Sequence, residues 1–301
     1  MHPSFTRWLS LQAYGVVTRT LFRPDTPPQT MRRRFERFGG TSRAAMQRRH
    51  PAVVFGNHRA GALAIESLRA TPRPRRRILY LHGGAFVMGS PDSYRSRALR
   101  LSYRCDAEVF VPDYRLAPEH PFPAALEDAL AAWGFLTETL GDAARTFVVG
   151  DSAGGGLALS LMVRLRELGE RSPAGAVLLS PWANLTEAAS AGSHRDLWLS
   201  DAHLRGWARY YAGTADPGNP LISPACAELS GLPRQLVLVG EDELLADETR
   251  RLVARSRASG TDARLLVGVR MQHDFPLTLP WLPESRRAWV AIAAFIEGGV
   301  P

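Results

Sequence analysis

Thr146-Phe147-Val148-Val149-Gly150-Asp151-Ser152-Ala153-Gly154-Gly155 is the stretch on which the reading of this chain turns. A strand-like apolar run ends in a G-x-S-x-G pattern, and a helix-like run follows from Gly155 to Glu170. In that strand-turn-helix setting the pattern is a nucleophile elbow. The glycines two before and two after the serine let strand and helix pack closely around a strained turn, which lifts the Ser152 hydroxyl above the sheet edge. Ser152 is the candidate nucleophile, and the competing local role is that of a helix N-cap serine.

Upstream, Arg77-Ile78-Leu79-Tyr80-Leu81 reads as a buried strand that runs straight into His82-Gly83-Gly84-Ala85-Phe86. A strand followed by glycines presents bare backbone N–H groups. Donors aimed at the oxyanion formed in acyl transfer contribute about 3 kcal/mol each to the transition state. Gly83 and Gly84 are expected to supply two such donors and Ala153 a third. The alternative is a tight strand-to-loop turn that needs glycine for its dihedrals.

These two motifs, with Asp113-Tyr114-Arg115-Leu116-Ala117-Pro118-Glu119-His120-Pro121-Phe122-Pro123-Ala124-Ala125 and Gly240-Glu241-Asp242-Glu243-Leu244-Leu245, make the chain resemble the hormone-sensitive-lipase-like α/β-hydrolases. That branch comprises bacterial short-chain esterases and lactone hydrolases. The resemblance implies an α/β fold, a mostly parallel central sheet flanked by helices with a helical cap. It also implies residues 1–50 as an N-terminal cap segment and 51–301 as the catalytic domain, with a cap insertion at about 183–223.

The chain order for this fold is Ser, then Asp or Glu, then His. Of eight histidines only His194, His203 and His273 follow Ser152, and His273 alone lies beyond the acidic cluster at 241–248. It closes the strand Arg264-Leu265-Leu266-Val267-Gly268-Val269 and is the expected general base, whereas His194 and His203 fall in the cap with solvated or substrate-side roles. The strand Gln235-Leu236-Val237-Leu238-Val239 ends at Gly240, and similar enzymes place their acid where Asp242 stands. Glu241, Glu243 and Asp247 compete with it. The acid would accept the Nδ1 proton, fix the tautomer and stabilise the imidazolium.

His82 is expected to brace the oxyanion loop. The stretch Asp113–Ala125, with Arg115 and Glu119, reads as a rigid scaffold held by internal hydrogen bonds and an ion pair. Asp151 either tunes the pocket or packs at the turn.

At 301 residues with 45% hydrophobic content, the chain can bury the core of one large α/β domain. Apolar runs at 78–81, 109–111, 147–149, 176–179, 236–239 and 265–267 alternate with helical segments, as in a parallel sheet covered on both faces. Val53-Val54-Phe55 and Ala62-Leu63-Ala64-Ile65, joined by a turn containing Gly and Asn, suggest an antiparallel pair at its edge. Phe5, Trp8, Leu9, Ala13, Val16, Val17 and Leu21 fall at helical spacing and form a stripe to be buried. In the insertion, Ser200-Asp201 is an N-cap signal ahead of Leu204, Trp207, Ala208 and Tyr211. A lid carrying Trp198, Trp207, Tyr210 and Tyr211 is expected to line an acyl or alcohol pocket, with a purely structural aromatic cluster as the alternative, and Phe86, Trp207 and Tyr211 are the candidate substrate-binding residues.

Every one of the 37 basic residues is arginine; 16 of them, against 3 acids, lie in residues 1–77 and leave 21 against 26 for the rest. Arg32-Arg33-Arg34, Arg48-Arg49 and Arg75-Arg76-Arg77 are compatible with an anionic surface. No nucleic-acid motif accompanies them, so solvated helix faces are the expectation. Arg7, Gln12 and Arg19 interrupt the first apolar stretch, which argues against a cleaved signal peptide, and no run reaches a membrane span of about 20 residues. Cys105 and Cys226 are too few for a disulfide framework and suggest buried thiols in a reducing cytoplasm. Metal spacing and dinucleotide fingerprints are absent, so no metal or cofactor is expected. The expected partner is a small-molecule ester or lactone, with a homodimer left open and neither nucleic acid nor stable membrane insertion.

The function expected is hydrolysis of short-chain carboxylic esters or lactones through an acyl-enzyme. The alternatives are amide deacetylation, acyl transfer to an alcohol, or a non-catalytic ligand receptor on the same fold.

Overall fold

The computed structural model describes residues 9–13, 15–16, 18, 23–141, 143–186 and 195–298. Among them, eight strands make one sheet in the order β1-β2-β4-β3-β5-β6-β7-β8. These are β1 Val54–Ala60, β2 Leu63–Arg69, β3 Arg76–Leu81, β4 Ala107–Pro112, β5 Thr146–Asp151, β6 Ala176–Leu179, β7 Gln235–Gly240 and β8 Ala263–Gly268. From β4 to β8 neighbouring strands run parallel, while β2 is antiparallel to both β4 and β1. Ile78, Leu79, Tyr80 and Leu81 are all buried, as is every residue of β5. Their apolar runs are continuous, without alternation, because helices cover both faces of the sheet.

Helices Pro91–Cys105 and Pro283–Glu297 pack on each other and on the sheet, and Ala124–Gly134 and Ala153–Glu167 form another such pair. Ser90 begins the first of these with a capping box shared with Ser93. The parallel order carries the C-terminal ends of β3, β5, β7 and β8, and the loops that follow them, to one edge of the sheet. In such folds that edge is where ligands bind.

The reversal between β1 and β2 differs from expectation. Gly56 and Asn57 lie inside β1, opposite Ser67 and Glu66, and the turn is at Gly61, whose φ of +60° suits glycine. The helical residues between 9 and 18 differ too. Leu9 and Val16, expected on a buried stripe, are exposed, while Phe5, Trp8, Val17 and Leu21 lie outside the described residues.

Arg32 leaves the solvated face expected for it, and Arg43 also pairs into the fold. In helix Pro28–Gly39, Arg32 donates from Nε to Val87 O at 2.6 Å and from Nη2 to Ala117 O at 2.7 Å, and it pairs with Glu119 at 2.6 Å. Arg43 and Arg95 clamp the buried Glu66 at 2.6 and 2.7 Å. Cys105 is buried, but Cys226 is exposed. Among the described residues, no helix is long and apolar enough to cross a membrane.

Candidate active site

Ser152 sits between β5 and helix Ala153–Glu167 at φ +53°, ψ −122°, a backbone conformation that an L-residue holds only under constraint. The constraint is visible. The Ser152 N–H donates to Leu179 O at 2.8 Å, and the Trp182 N–H donates to Ser152 O at 2.9 Å, which pins the turn to the end of β6. A Cβ on Gly150 would stand 2.2 Å from Gly154 O, and one on Gly154 would stand 2.1 Å from Leu81 O. The glycines therefore serve close approach of backbone to backbone. Ser152 remains partly exposed at the top of the turn.

The loop after β3 is anchored from below by the nucleophile's neighbour. The Gly83 N–H donates to Asp151 Oδ1 at 3.1 Å, and the Tyr94 hydroxyl donates to Asp151 Oδ2 at 3.1 Å. Gly83, expected as an oxyanion donor, is thereby committed to a buried carboxylate. Gly84 and Ala85 follow it, and among the described residues their N–H groups donate to no backbone or side-chain acceptor. Ala85 and Phe86 both adopt positive φ, 57° and 61°, so the bend turns this backbone outward without a third glycine.

His82 braces the loop, as expected. Its Nδ1 meets Gly83 O at 2.8 Å, and its ring is stacked between Tyr114 (4.1 Å) and Tyr94 (5.0 Å). Burial lowers its pKa to about 4, so it carries no charge at neutral pH. The Tyr114 hydroxyl donates to His82 O at 2.7 Å, and the Ala117 N–H donates to Phe86 O at 2.9 Å. The 113–125 stretch is thus a scaffold, but its ion pairs reach outward. Arg115 pairs with Glu127 and Asp128 of the next helix, and Glu119 pairs with Arg32.

The structure separates the three consecutive acids after β7. The Glu241 carboxylate accepts the Arg270 N–H at 2.8 Å and so ties the following loop. Asp242 is half-buried; its backbone N–H donates to Met271 O at 3.1 Å, and its carboxylate makes no hydrogen bond or ion pair among the described residues. Glu243 turns back under the strand end. Its Oε2 accepts the Gly240 N–H at 3.0 Å and the Ser180 hydroxyl at 2.8 Å, and its Oε1 lies 3.6 Å from His273 Nδ1. Of these three acids, the one whose carboxylate faces the imidazole is therefore Glu243 and not Asp242, because the tight turn reverses the chain and sends the third side chain inward. Asp247 is a surface partner of Arg250. A sequence signal was present, since Glu243 alone of the three precedes an apolar pair, of which Leu245 is buried.

His273 is fully buried, and the structure adds Asp274 beside it, with Oδ2 3.4 Å from Nε2. The Asp274 N–H donates to the same Ser180 hydroxyl oxygen that serves Glu243. Burial alone lowers the His273 pKa, but Asp274, Glu243 and Asp196 outweigh it and push the value up to about 10. Burial in turn pushes Asp274 well above the usual carboxylate range.

Of the three expected pocket residues, Phe86 and Tyr211 meet face to face at 3.6 Å, which joins the oxyanion loop to helix Asp201–Ala212 of the insertion. Trp207 stacks instead on His203 at 4.9 Å. His203 is buried, not solvated, with Nδ1 2.9 Å from Ser200 Oγ, and His194 lies outside the described residues. Trp198, expected among the lid aromatics that line an acyl or alcohol pocket, stands edge-on to His273, with ring centroids 5.6 Å apart.

Comparison with known proteins places the fold in a family. A family model described as an alpha/beta hydrolase fold matches residues 78–277. An acetyl-hydrolase of Streptomyces hygroscopicus is 42% identical over 243 residues, 79% of this chain and 80% of the relative. An esterase of Acinetobacter venetianus is 32% identical over 256 residues, 82% of each. Among solved structures, a hormone-sensitive lipase from a metagenome library superposes with a TM-score of 0.86 at 32% identity, covering 99% of this chain and 98% of that one. The chain belongs to the α/β-hydrolase family, in its branch of hormone-sensitive-lipase-like esterases, and it is an ester hydrolase.

Proposed function

We propose that Ser152, His273 and Glu243 act as the triad of this esterase, with the N–H groups of Gly84, Ala85 and Ala153 as oxyanion donors. The observation that carries the assignment is the buried Glu243 carboxylate 3.6 Å from His273 Nδ1, held there by two hydrogen bonds of its other oxygen, from Ser180 and Gly240. Ser152 Oγ attacks the ester carbonyl carbon while His273 Nε2 takes its proton. Glu243 holds the Nδ1 proton and balances the imidazolium. The tetrahedral oxyanion is met by preorganised donors, each contributing about 3 kcal/mol. Collapse breaks the bond to the alcohol oxygen, which leaves with the proton from Nε2. Water, deprotonated by the same nitrogen, then releases the acid from Ser152.

Short acyl esters of about two to six carbons, and lactones, are the proposed substrates, since pocket volume limits the acyl chain. The stacked Phe86 and Tyr211 rings occupy the space beside the oxyanion loop, and the relative named an acetyl-hydrolase supports a small acyl group. The test is covalent labelling by an organophosphonate, together with turnover of an ester panel. Labelling should fall on Ser152 and be lost in Ser152→Ala along with turnover. Turnover that survives Ser152→Ala would refute the assignment. Ester, amide and added alcohol acceptors run in parallel separate hydrolysis from deacetylation and acyl transfer.

A further inference from the structure

The segment 196–199 of the insertion touches both loops that carry the proposed acid and base. Asp196 Oδ1 accepts the N–H groups of Trp198 at 2.8 Å and Leu199 at 2.7 Å, which closes a local turn just ahead of the Ser200 N-cap. Its other oxygen, Oδ2, leaves the insertion and accepts the Leu244 N–H at 2.9 Å. Leu244 is the residue after Glu243. The Leu197 N–H donates to Gln272 Oε1 at 2.8 Å, and Gln272 is the residue before His273. The Leu197 carbonyl accepts the Thr18 hydroxyl at 3.0 Å, which brings in the N-terminal helical residues. Trp198, between these contacts, sets its ring beside the His273 imidazole.

We propose that Asp196 is a positioning residue of the esterase, a latch through which the roof of the site sets the Glu243 and His273 loops. The proposal rests on the triad assignment above. One short turn bonds the neighbour of the acid and the neighbour of the base, so these loops keep their register only while the insertion is seated. The Asp196 carboxylate also adds negative charge near His273. The other groups facing that imidazole are Glu243 from the loop after β7 and Asp274 from its own loop. Asp274 in turn faces Asp151 and Arg97. A latch built from a carboxylate accepting three backbone donors is stronger than a neutral contact, because charge-assisted hydrogen bonds are roughly twice as strong.

The test is Asp196→Asn and Asp196→Ala in the full chain, with active sites counted by organophosphonate titration so that turnover is expressed per competent Ser152. Asparagine keeps the volume and one acceptor oxygen, so it carries the test if the alanine variant fails to fold. For Asp196→Asn, kcat per titrated site should fall about tenfold with a smaller change in KM, as expected for losing one charged hydrogen bond. The midpoint of the rise of kcat/KM with pH should move to lower pH, because one negative charge near His273 is gone. A merely structural role would lower the melting temperature and the titratable fraction but leave kcat per site and the pH midpoint at wild-type values, and that result overturns the latch. Ser152→Ala in the same assays isolates the underlying assignment: if it retains turnover the triad falls, whereas if it is inactive and Asp196→Asn is unchanged only the latch falls.

Discussion

The Gly83 N–H donates to Asp151 Oδ1, so the residue before the nucleophile holds the first residue of the oxyanion loop in place. The same carboxylate takes the Tyr94 hydroxyl, and the cluster is buried. Asp151→Ala leaves both donors without their acceptor, at about 1–3 kcal/mol for each buried group. The melting temperature should therefore fall. kcat should fall with it by roughly tenfold to a hundredfold, since a misplacement of about 1 Å in preorganised donors costs on that order. Asp151→Asn keeps an acceptor oxygen toward Gly83 and should retain most of the stability. Calorimetry and steady-state turnover of the two variants check this. An Asp151→Ala enzyme with unchanged kcat would show that the loop holds itself.

The assignment of the acid is open to a direct comparison. Glu243→Gln keeps the shape but removes the charge that balances the imidazolium, and turnover should drop by about a thousandfold or more. Asp242→Asn, at a half-buried carboxylate that makes no hydrogen bond or ion pair among the described residues, should stay within about twofold of wild type, as substitutions that break no contact commonly do. The reverse ranking in measured kcat/KM would return the role to Asp242.

These two pairs also mark what the sequence could carry. The elbow is legible because strand, turn and helix are adjacent in the chain and Gly150 answers a crowding by Gly154 within the same turn. The parallel strands were legible because burial on both faces leaves continuous apolar runs. Choosing among Glu241, Asp242 and Glu243 was beyond reach of spacing, since a tight turn decides which of three successive side chains points inward. The partner of the Gly83 N–H is hidden from spacing for a related reason: its acceptor comes from residue 151, far away in the chain. In the sequence Arg32 reads as a surface charge, but it bonds carbonyls of two loops that only the fold brings together.

His273 makes activity and stability move in opposite directions with pH. A base must be neutral to take the Ser152 proton, and its carboxylate neighbours hold His273 protonated up to about 10 against an ordinary 6.5. Ester turnover should therefore rise through an ionisation displaced to the alkaline side of 6.5. Asp274→Asn should bring that midpoint down. The folded state binds this proton more tightly than the unfolded chain, so its contribution to stability is complete below 6.5 and is lost as pH climbs toward 10. His82 acts at the other end. Its folded pKa is depressed to about 4, so stability also declines as pH falls from 6.5 toward 4. Melting temperatures should peak near neutrality while kcat/KM still rises beyond it. A kcat/KM midpoint at or below 6.5 would contradict the carboxylate cage around His273.

Acyl-chain preference follows from the Phe86 and Tyr211 stack. The two rings lie 3.6 Å apart at an interplanar angle of 9°, and both are buried, so protein already fills the volume next to the oxyanion loop. Aromatic pairs of this kind contribute about 0.5–1.5 kcal/mol beyond their buried area, which makes the wall stiff. The specificity constant should peak for acyl chains of about two to six carbons and fall toward palmitate, because each further methylene must displace protein. Tyr211→Leu removes one ring without emptying the site. It should shift the maximum to longer chains at a cost of about 1–3 kcal/mol in stability. The measurement is kcat/KM from acetate to palmitate for both proteins, with one monocyclic lactone included. A wild-type maximum at long chains, with activity rising at a lipid interface, would mean that the stack yields to substrate and that acyl length is set elsewhere.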